Sequence, residues 1–453
     1  MTPIHSISPF PIEQRNSSTR HMDANTNDTD DMTGTGSDTD TDATGSGDTT
    51  DGTLADGQGP LDGLVVVEAG SMIAAGQVGR LLADFGATVI KIERPGAGDH
   101  LRRFGPQKEG TGLWWKYLGR NKHSVTLDLS ADAGRAVFED LVGEADVLVE
   151  NFRPGTLEKW GLAPDGLLER NPDLVALRIS GFGQTGPYAE RPGFGTLAES
   201  MSGFAYLNGF PDRPPLLPPT GLADGVAAMF STFSIMFALW HREMHDGGGQ
   251  VIDTSLIEPI FSLLGPQPLR YQQRDEIEAR SGNRSTSSAP RNVYRTRDER
   301  YVAISASTQP TAMRIFDAIG RPDLKDDPRF ETNERRLANV DELDAVIQDW
   351  MAEHSREEVL ATFDETGATV APVFNVADIA DDEHYRAREA LVEVDDAELG
   401  TGLVQNAVPK FGETPGTVDH LGPELGAHND AVYGELLDYD ASLREKLAEE
   451  GVI

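Results

Sequence analysis

One segment constrains the fold of this chain more than any other. From Val226 to Trp240 the sequence is apolar on nearly every face of a helical repeat. Such a run predicts a long helix buried in a core. Directly before it, Pro218-Pro219-Thr220-Gly221 forbids regular structure, which puts Asp224, in Leu222-Ala223-Asp224-Gly225, at or near the N-cap. The unpaired N–H groups and positive dipole end of a helix hold a carboxylate ionised there and accept negative charge developing beside it. That environment suits a nucleophile, and it suits an ordinary capping Asp equally well.

The sequence before this helix alternates short β-like runs with helix-length segments. Strands are expected at Val65–Glu68, Thr88–Glu93, Ser124–Leu129, Val147–Glu150 and Leu174–Ser180, with helices at Ala74–Phe85, Ala131–Glu144 and Pro164–Arg170 between them. Val251–Thr254 continues the series beyond the apolar helix. A βαβ progression of this kind predicts an α/β fold with a Rossmann-like parallel sheet, whose ligand crevice opens at the carboxyl ends of the strands. Residues 1–60, dominated by Thr, Asp, Gly and Ser, bury too little apolar surface to offset chain entropy and read as a disordered acidic extension. The expected organisation is a large domain over 61–270, a smaller α+β domain over 280–385 with a strand pair around Asn292–Ser307, and a C-terminal segment, 386–453, returning to the large domain.

Charge and cysteine content remove several function classes. The chain of 453 residues carries 75 acidic against 39 basic residues, a formal net charge of -36 that repels nucleic acid and anionic membranes. Only eight of the basic residues are Lys, which together with the acid excess suggests a salt-adapted protein. With no cysteine, disulfides, thiolate metal sites and cysteine nucleophiles are excluded. The Val226–Trp240 run is too short to span a bilayer, and the first residues lack a signal-peptide pattern, so the expected location is the cytoplasm.

Two motifs invite readings that their context does not support. Gly181-Phe182-Gly183-Gln184-Thr185-Gly186 has the spacing of a dinucleotide-binding loop, but Pro187 and Arg191-Pro192-Gly193 stand where its helix should open. His241 and His245 lie one helical turn apart without the third ligand or the Glu of a zinc motif, so no metal site is expected. Three blocks are more informative: Asn121-Lys122-His123-Ser124, Glu150-Asn151-Phe152-Arg153-Pro154-Gly155 and Ile92-Glu93-Arg94-Pro95-Gly96. They carry basic and amide donors in the sheet region of an acidic chain, which suggests an anionic ligand with phosphates, unless Arg94 and Arg153 pair with nearby acids.

Together with Leu61-Asp62-Gly63, Leu81-Leu82-Ala83-Asp84-Phe85-Gly86-Ala87, Val89-Ile90-Lys91-Ile92-Glu93 and Gly221-Leu222-Ala223-Asp224, these blocks resemble the family III CoA-transferases, a group that includes 2-methylacyl-CoA racemases. The resemblance runs from Leu61 to the C-terminus. It implies that Asp224 is the nucleophile, carrying acyl and CoA groups in turn between an acyl-CoA and a small carboxylic acid. It also implies CoA contacts at Ile73, Ala74, Arg94, Leu127, Asp128, Leu129, Asn151, Phe152, Arg153, Lys159, Gly193, Phe194 and Gly195. CoA thioesters are then substrates, no tightly bound cofactor is needed, and an interlocked homodimer is expected. Succinyl-CoA as donor and mesaconate or citramalate as acceptor follow by analogy, with Arg102, Arg103 and Arg191 as candidates for a distal carboxylate.

The chain departs from the family pattern at Ala74-Ala75-Gly76, where Ala-Gly-Pro is frequent. It departs again at Phe194-Gly195, where Tyr or His precedes an acid, and Ser285-Thr286-Ser287-Ser288 stands where a Gly-rich lid is found in formyl-CoA transferases. The competing readings are a racemase, which needs an acid and a base within reach of the acyl α-carbon, and a non-catalytic CoA-binding protein. Asp224 has no titratable partner close in sequence, which favours the transferase.

Overall fold

The Val- and Ile-rich runs form strands, five of them largely buried on both faces, as parallel strands are when helices cover both sides of a sheet, while the last, Gln250–Ser255 at the sheet edge, is exposed over its first half. The strands are β1 (Val65–Glu68), β2 (Thr88–Glu93), β3 (Lys122–Thr126), β4 (Val147–Glu150), β5 (Val175–Ser180) and β6 (Gln250–Ser255). All five pairings are parallel and the spatial order is β3-β2-β1-β4-β5-β6. Chain progression reverses between β1 and β4. In an open sheet of this order the crevice beyond the carboxyl ends of those two strands is the natural ligand site. The structure is a computed structural model and describes residues 59–245 and 247–453, so nearly all of the expected N-terminal extension lies outside the described residues.

Helices α1 (Met72–Ala83), α2 (Asp132–Gly143), α3 (Pro164–Arg170), α4 (Gly195–Met201) and α5 (Leu222–His245) accompany the sheet. On one face α1 and α5 pack through small residues, among them Ala74, Ala75, Ala223, Ala227 and Ala228, which let the helices approach closely. On the other face α2 and α3 join Val432, Tyr433, Leu447 and Val452 from the C-terminal part of the chain. Tyr433 donates its hydroxyl to the Thr126 carbonyl, and the Asp128 N–H donates to the Val452 carbonyl, so this segment is stitched to the end of β3.

The expectation that the apolar helix is buried all round is corrected. Helix α5 buries Ala223, Val226, Ala227, Ala228, Ser231, Ile235, Ala238 and Leu239. Met229, Phe233, Met236, Phe237, Trp240 and Met244 form an exposed stripe at helical spacing, with Phe237 67% exposed. At 24 residues α5 is also longer than the run predicted and, by length and composition, could cross a bilayer, yet one face is committed to the sheet.

A second sheet is antiparallel: β7 (Arg291–Arg295), β8 (Tyr301–Ser305) and β9 (Val370–Pro372), with β8 central. Helices α6 (Gln309–Ala318), α7 (Val340–Glu353) and α8 (Arg356–Thr366) cover it around Val302, Ile315, Phe316, Ile347 and Phe363. The Ser-rich stretch lies beside this sheet. Arg284 there pairs with Asp341 and Asp344 of α7 at 2.7 Å each.

Candidate active site

A cavity of about 700 Å³ opens at the carboxyl ends of β1, β4 and β5. Its wall is built from Ser71–Ala74 after β1, Asn151–Pro154 after β4 and Ile179–Gly181 at the end of β5. Pro192–Glu199 and Leu217–Asp224 close the remaining sides. The two loops at the reversal point are tied together by Asn151, whose Oδ1 accepts from the Ser71 N–H at 2.8 Å and whose amide donates to the Ser71 carbonyl at 2.7 Å. Met72, the first residue of α1, has φ +64, a left-handed backbone at the cavity wall. Phe152 is fixed from behind: its N–H donates to Glu150 at 2.7 Å and its ring meets Trp160 edge-on at 5.2 Å.

Asp224 faces this cavity as the third residue of α5, one turn further in than the expected N-cap because the helix begins at Leu222. Its carboxylate lies so close to Gly195 that any Cβ there would collide with it. Gly195 and Glu199 stand one turn apart on α4 and therefore share a face. Glu199 is 3% exposed, and its Oε1 accepts from the Ala223 N–H at 3.2 Å, satisfying one of the free donors at the start of α5. Burial, and secondarily the negative charge of Glu199, push the Asp224 carboxyl up to about 6. Glu199 is the site residue that sequence reading missed. Nothing near Asp224 in the chain announces it, and the fold brings it in from α4.

Eight of the expected CoA-contacting residues line the cavity: Ile73, Ala74, Asn151, Phe152, Arg153, Gly193, Phe194 and Gly195, with Phe194 70% exposed. Gly193 packs against Gly181 so tightly that a Cβ on either would strike the other, which explains both glycines without a nucleotide-binding loop. Arg94, Leu127, Asp128, Leu129 and Lys159 do not line it. Arg94 is exposed beyond β2 and close enough to Asp128 to lower its carboxyl, although hydrogen bonds from Ser130 do most of that. Leu127 and Leu129 are buried beyond β3, and Lys159 is exposed on the short helix Thr156–Lys159. Among the described residues neither Arg94 nor Arg153 forms a direct ion pair with a carboxylate, and the influence of Arg94 on Asp128 is one of proximity.

Other cations turn out to be structural. Lys122 is buried against Glu68 at 2.6 Å rather than facing a ligand. Arg102 is held by Glu93 at 2.7 Å and stacks over Trp115, and Arg103 is exposed outside the cavity. Arg191 does line the cavity, its guanidinium 3.9 Å above the Tyr188 ring. His241 and His245 stack on each other, and no cluster of metal-ligating side chains occurs among the described residues.

The model of the family described as CoA-transferase family III matches residues 61–429. The chain belongs to that family. The enzyme is therefore a CoA-transferase, and CoA thioesters are its substrates. It is 40% identical over 379 residues to the succinyl-CoA–D-citramalate CoA-transferase of Chloroflexus aurantiacus, covering 83% of this chain and 94% of the relative. It is 34% identical to the succinyl-CoA:mesaconate CoA-transferase of Haloarcula hispanica, covering 84% and 96% respectively. Among solved structures, a CaiB/BaiF family protein from Brucella suis superposes with a TM-score of 0.76 at 33% identity, over 84% of this chain and all of the other. The transferase thus has the α/β architecture, with its large parallel sheet, of that family.

Proposed function

We propose that the enzyme moves CoA from succinyl-CoA to a small dicarboxylate, such as citramalate or mesaconate, through covalent intermediates on Asp224. The observation that carries this reading is a carboxylate in a cavity at the reversal point of the sheet with, among the described residues, no cation beside it. A carboxylate partly withdrawn from water and without an ion-pair partner is a better nucleophile than a fully solvated one. It attacks the thioester carbonyl, the C–S bond breaks, and CoA leaves as the thiolate with a mixed anhydride at position 224. The thiolate then attacks the aspartyl carbonyl, releasing the donor acid and leaving an aspartyl-CoA thioester. The acceptor carboxylate runs the two steps in reverse. One thioester replaces another, so the exchange is nearly balanced in free energy and needs no outside energy source.

The long CoA molecule is taken to run from the cavity along the strand ends, with Arg153 and then Arg94 and Lys159 as phosphate partners and the Leu127–Leu129 turn beside the nucleotide. Arg191 is the cavity cation suited to the second carboxylate of the acid. The likeness to the two named transferases supports the donor and the acceptor class. The test is an exchange assay with succinyl-CoA and a panel of labelled acids. Transfer to four- and five-carbon dicarboxylates should exceed transfer to acetate by at least about tenfold, as loss of one charged contact requires. Tight CoA binding without exchange would favour a binding protein, and loss of α-deuterium from an acyl-CoA without any acceptor would favour a racemase.

We also infer a homodimer in which a second copy covers the exposed stripe of α5. A contiguous apolar stripe of this kind is costly to leave in water. Sedimentation should give twice the chain mass, and Phe237→Glu with Trp240→Glu should lower it; a monomeric wild type would remove this inference.

A further inference from the structure

The mechanism above uses Asp224 and leaves the second buried carboxylate of the cavity without a role. Glu199 is almost fully enclosed, and the Ala223 N–H is the hydrogen-bond donor recorded for its carboxylate. Helix α5 packs on α1, α4, β5, β6 and the helix Ile257–Ser262. The other titratable groups on those elements are engaged elsewhere. Arg80 pairs with Asp84, and Arg178 with Glu150 and Glu158. Asp253 accepts from the Gln184 N–H, and Glu258 accepts from Ser255. On α5 itself His241, Arg242, Glu243 and His245 sit at the far end. The titratable groups lining the cavity are Arg153, Arg191, Glu199 and Asp224, and among the described residues neither arginine forms an ion pair with either acid. Glu199 is thus a carboxylate beside Asp224 without an ion-pair partner among the described residues, held in register by the very turn that carries it.

We propose that Glu199 is a positioning residue whose unneutralised carboxylate drives Asp224 toward its acylated, uncharged states. Like charges in a cavity with little water repel, and the repulsion disappears whenever Asp224 loses its charge. Protonation removes that charge, and so does acylation. In the first step the electron pair of the breaking C–S bond leaves with the CoA thiolate, and position 224 becomes a neutral anhydride. In the second, the departing acid carries the charge away and position 224 becomes a neutral thioester. Glu199 keeps its hydrogen bond to the Ala223 N–H throughout. The same repulsion therefore raises the acid limb of the reaction and favours the covalent enzyme, and one pH unit of the former corresponds to a tenfold change in the latter.

This inference rests on Asp224 being the nucleophile, and its test separates the two ideas. Glu199→Gln keeps an acceptor for the Ala223 N–H and removes the charge. With succinyl-CoA and fixed succinate but no acceptor, intact-protein mass spectrometry gives the ratio of CoA-bearing to free enzyme. The acid limb of kcat/KM is measured alongside. The expected result is a fall in that ratio of about tenfold and a downward move of the limb by about one pH unit. Glu199→Asp, which draws the carboxylate back while keeping the fold's charge, should move both in the same direction by less. An unchanged ratio and limb in a folded Glu199→Gln protein would overturn the proposal and leave Glu199 a structural cap. Difference infrared titration against Asp224→Asn reads the carboxyl at 224 without turnover. An unshifted midpoint in Glu199→Gln would overturn the Glu199 role even in an enzyme that forms no adduct, whereas absence of adduct in the wild type defeats the nucleophile reading alone.

Discussion

Two groups of buried and half-buried carboxylates lie on the same side of this sheet, and they are treated in opposite ways. Beneath α1, Glu68 and Asp99 are enclosed with Lys91 and Lys122. Lys91 lies 3.0 Å from Glu68 and 2.8 Å from Asp99, and Lys122 lies 2.6 Å from Glu68. Lys91 also donates to the Gly70 carbonyl, and the Met72 N–H to Asp99, so this network fixes the turn that becomes the cavity wall. Burial works to raise the Asp99 carboxyl, but Lys91 and the surrounding N–H groups win and hold it below its ordinary range. At the cavity the balance is reversed: burial and Glu199 raise Asp224 to about 6, and among the described residues no cation offsets them. Acids that serve the fold are neutralised, whereas the acid left to its own desolvation is the one we propose for chemistry.

The comparison breaks most visibly in activity. Asp224→Asn should lower CoA transfer by about four orders of magnitude or more while the protein stays folded, and appreciable turnover in that variant would put the chemistry elsewhere. Next in size is Lys91→Met, which leaves Glu68 and Asp99 short of a cation. It should cost about 3–5 kcal/mol in urea unfolding, and an unchanged midpoint would mean the network is not needed. The smallest effect has the opposite sign. Because folding raises the Asp224 pKa, the stability tied to its neutral form is full below about pH 4 and is lost as pH rises through 6. Asp224→Asn should thus gain about 1–3 kcal/mol over wild type at pH 8 and little at pH 4. A variant less stable than wild type at pH 8 would make Asp224 a structural cap.

The difference between these two regions also marks what the sequence could reveal. The strands were legible because parallel strands are covered on both faces, so Thr88–Glu93 and Val147–Glu150 read as unbroken Val- and Ile-rich runs. The end of β3 was less so: Leu127–Leu129 continue the apolar run but turn away after Thr126 to meet the C-terminal segment. Asp224 stood out through its Pro- and Gly-rich approach to a long apolar helix. Glu199 did not, since its meaning depends on how α4 seats against α5; a glycine and an acid one turn apart were the only hint. Lys122 and Arg102 looked like ligand cations because a sequence shows charge without showing the partner: Glu68 is 54 residues from Lys122, and Glu93, nine residues before Arg102, meets it only when the chain folds back. The open face of α5 was hidden by its composition, which is apolar whether or not anything in the same chain covers it.

Covalent acylation of Asp224 during turnover is directly measurable. Enzyme quenched after mixing with succinyl-CoA should carry a CoA-sized mass increase on the peptide containing Asp224, removed by hydroxylamine and missing in Asp224→Asn. An active enzyme that never shows that increase under quench, or that shows it on another residue, would contradict the account.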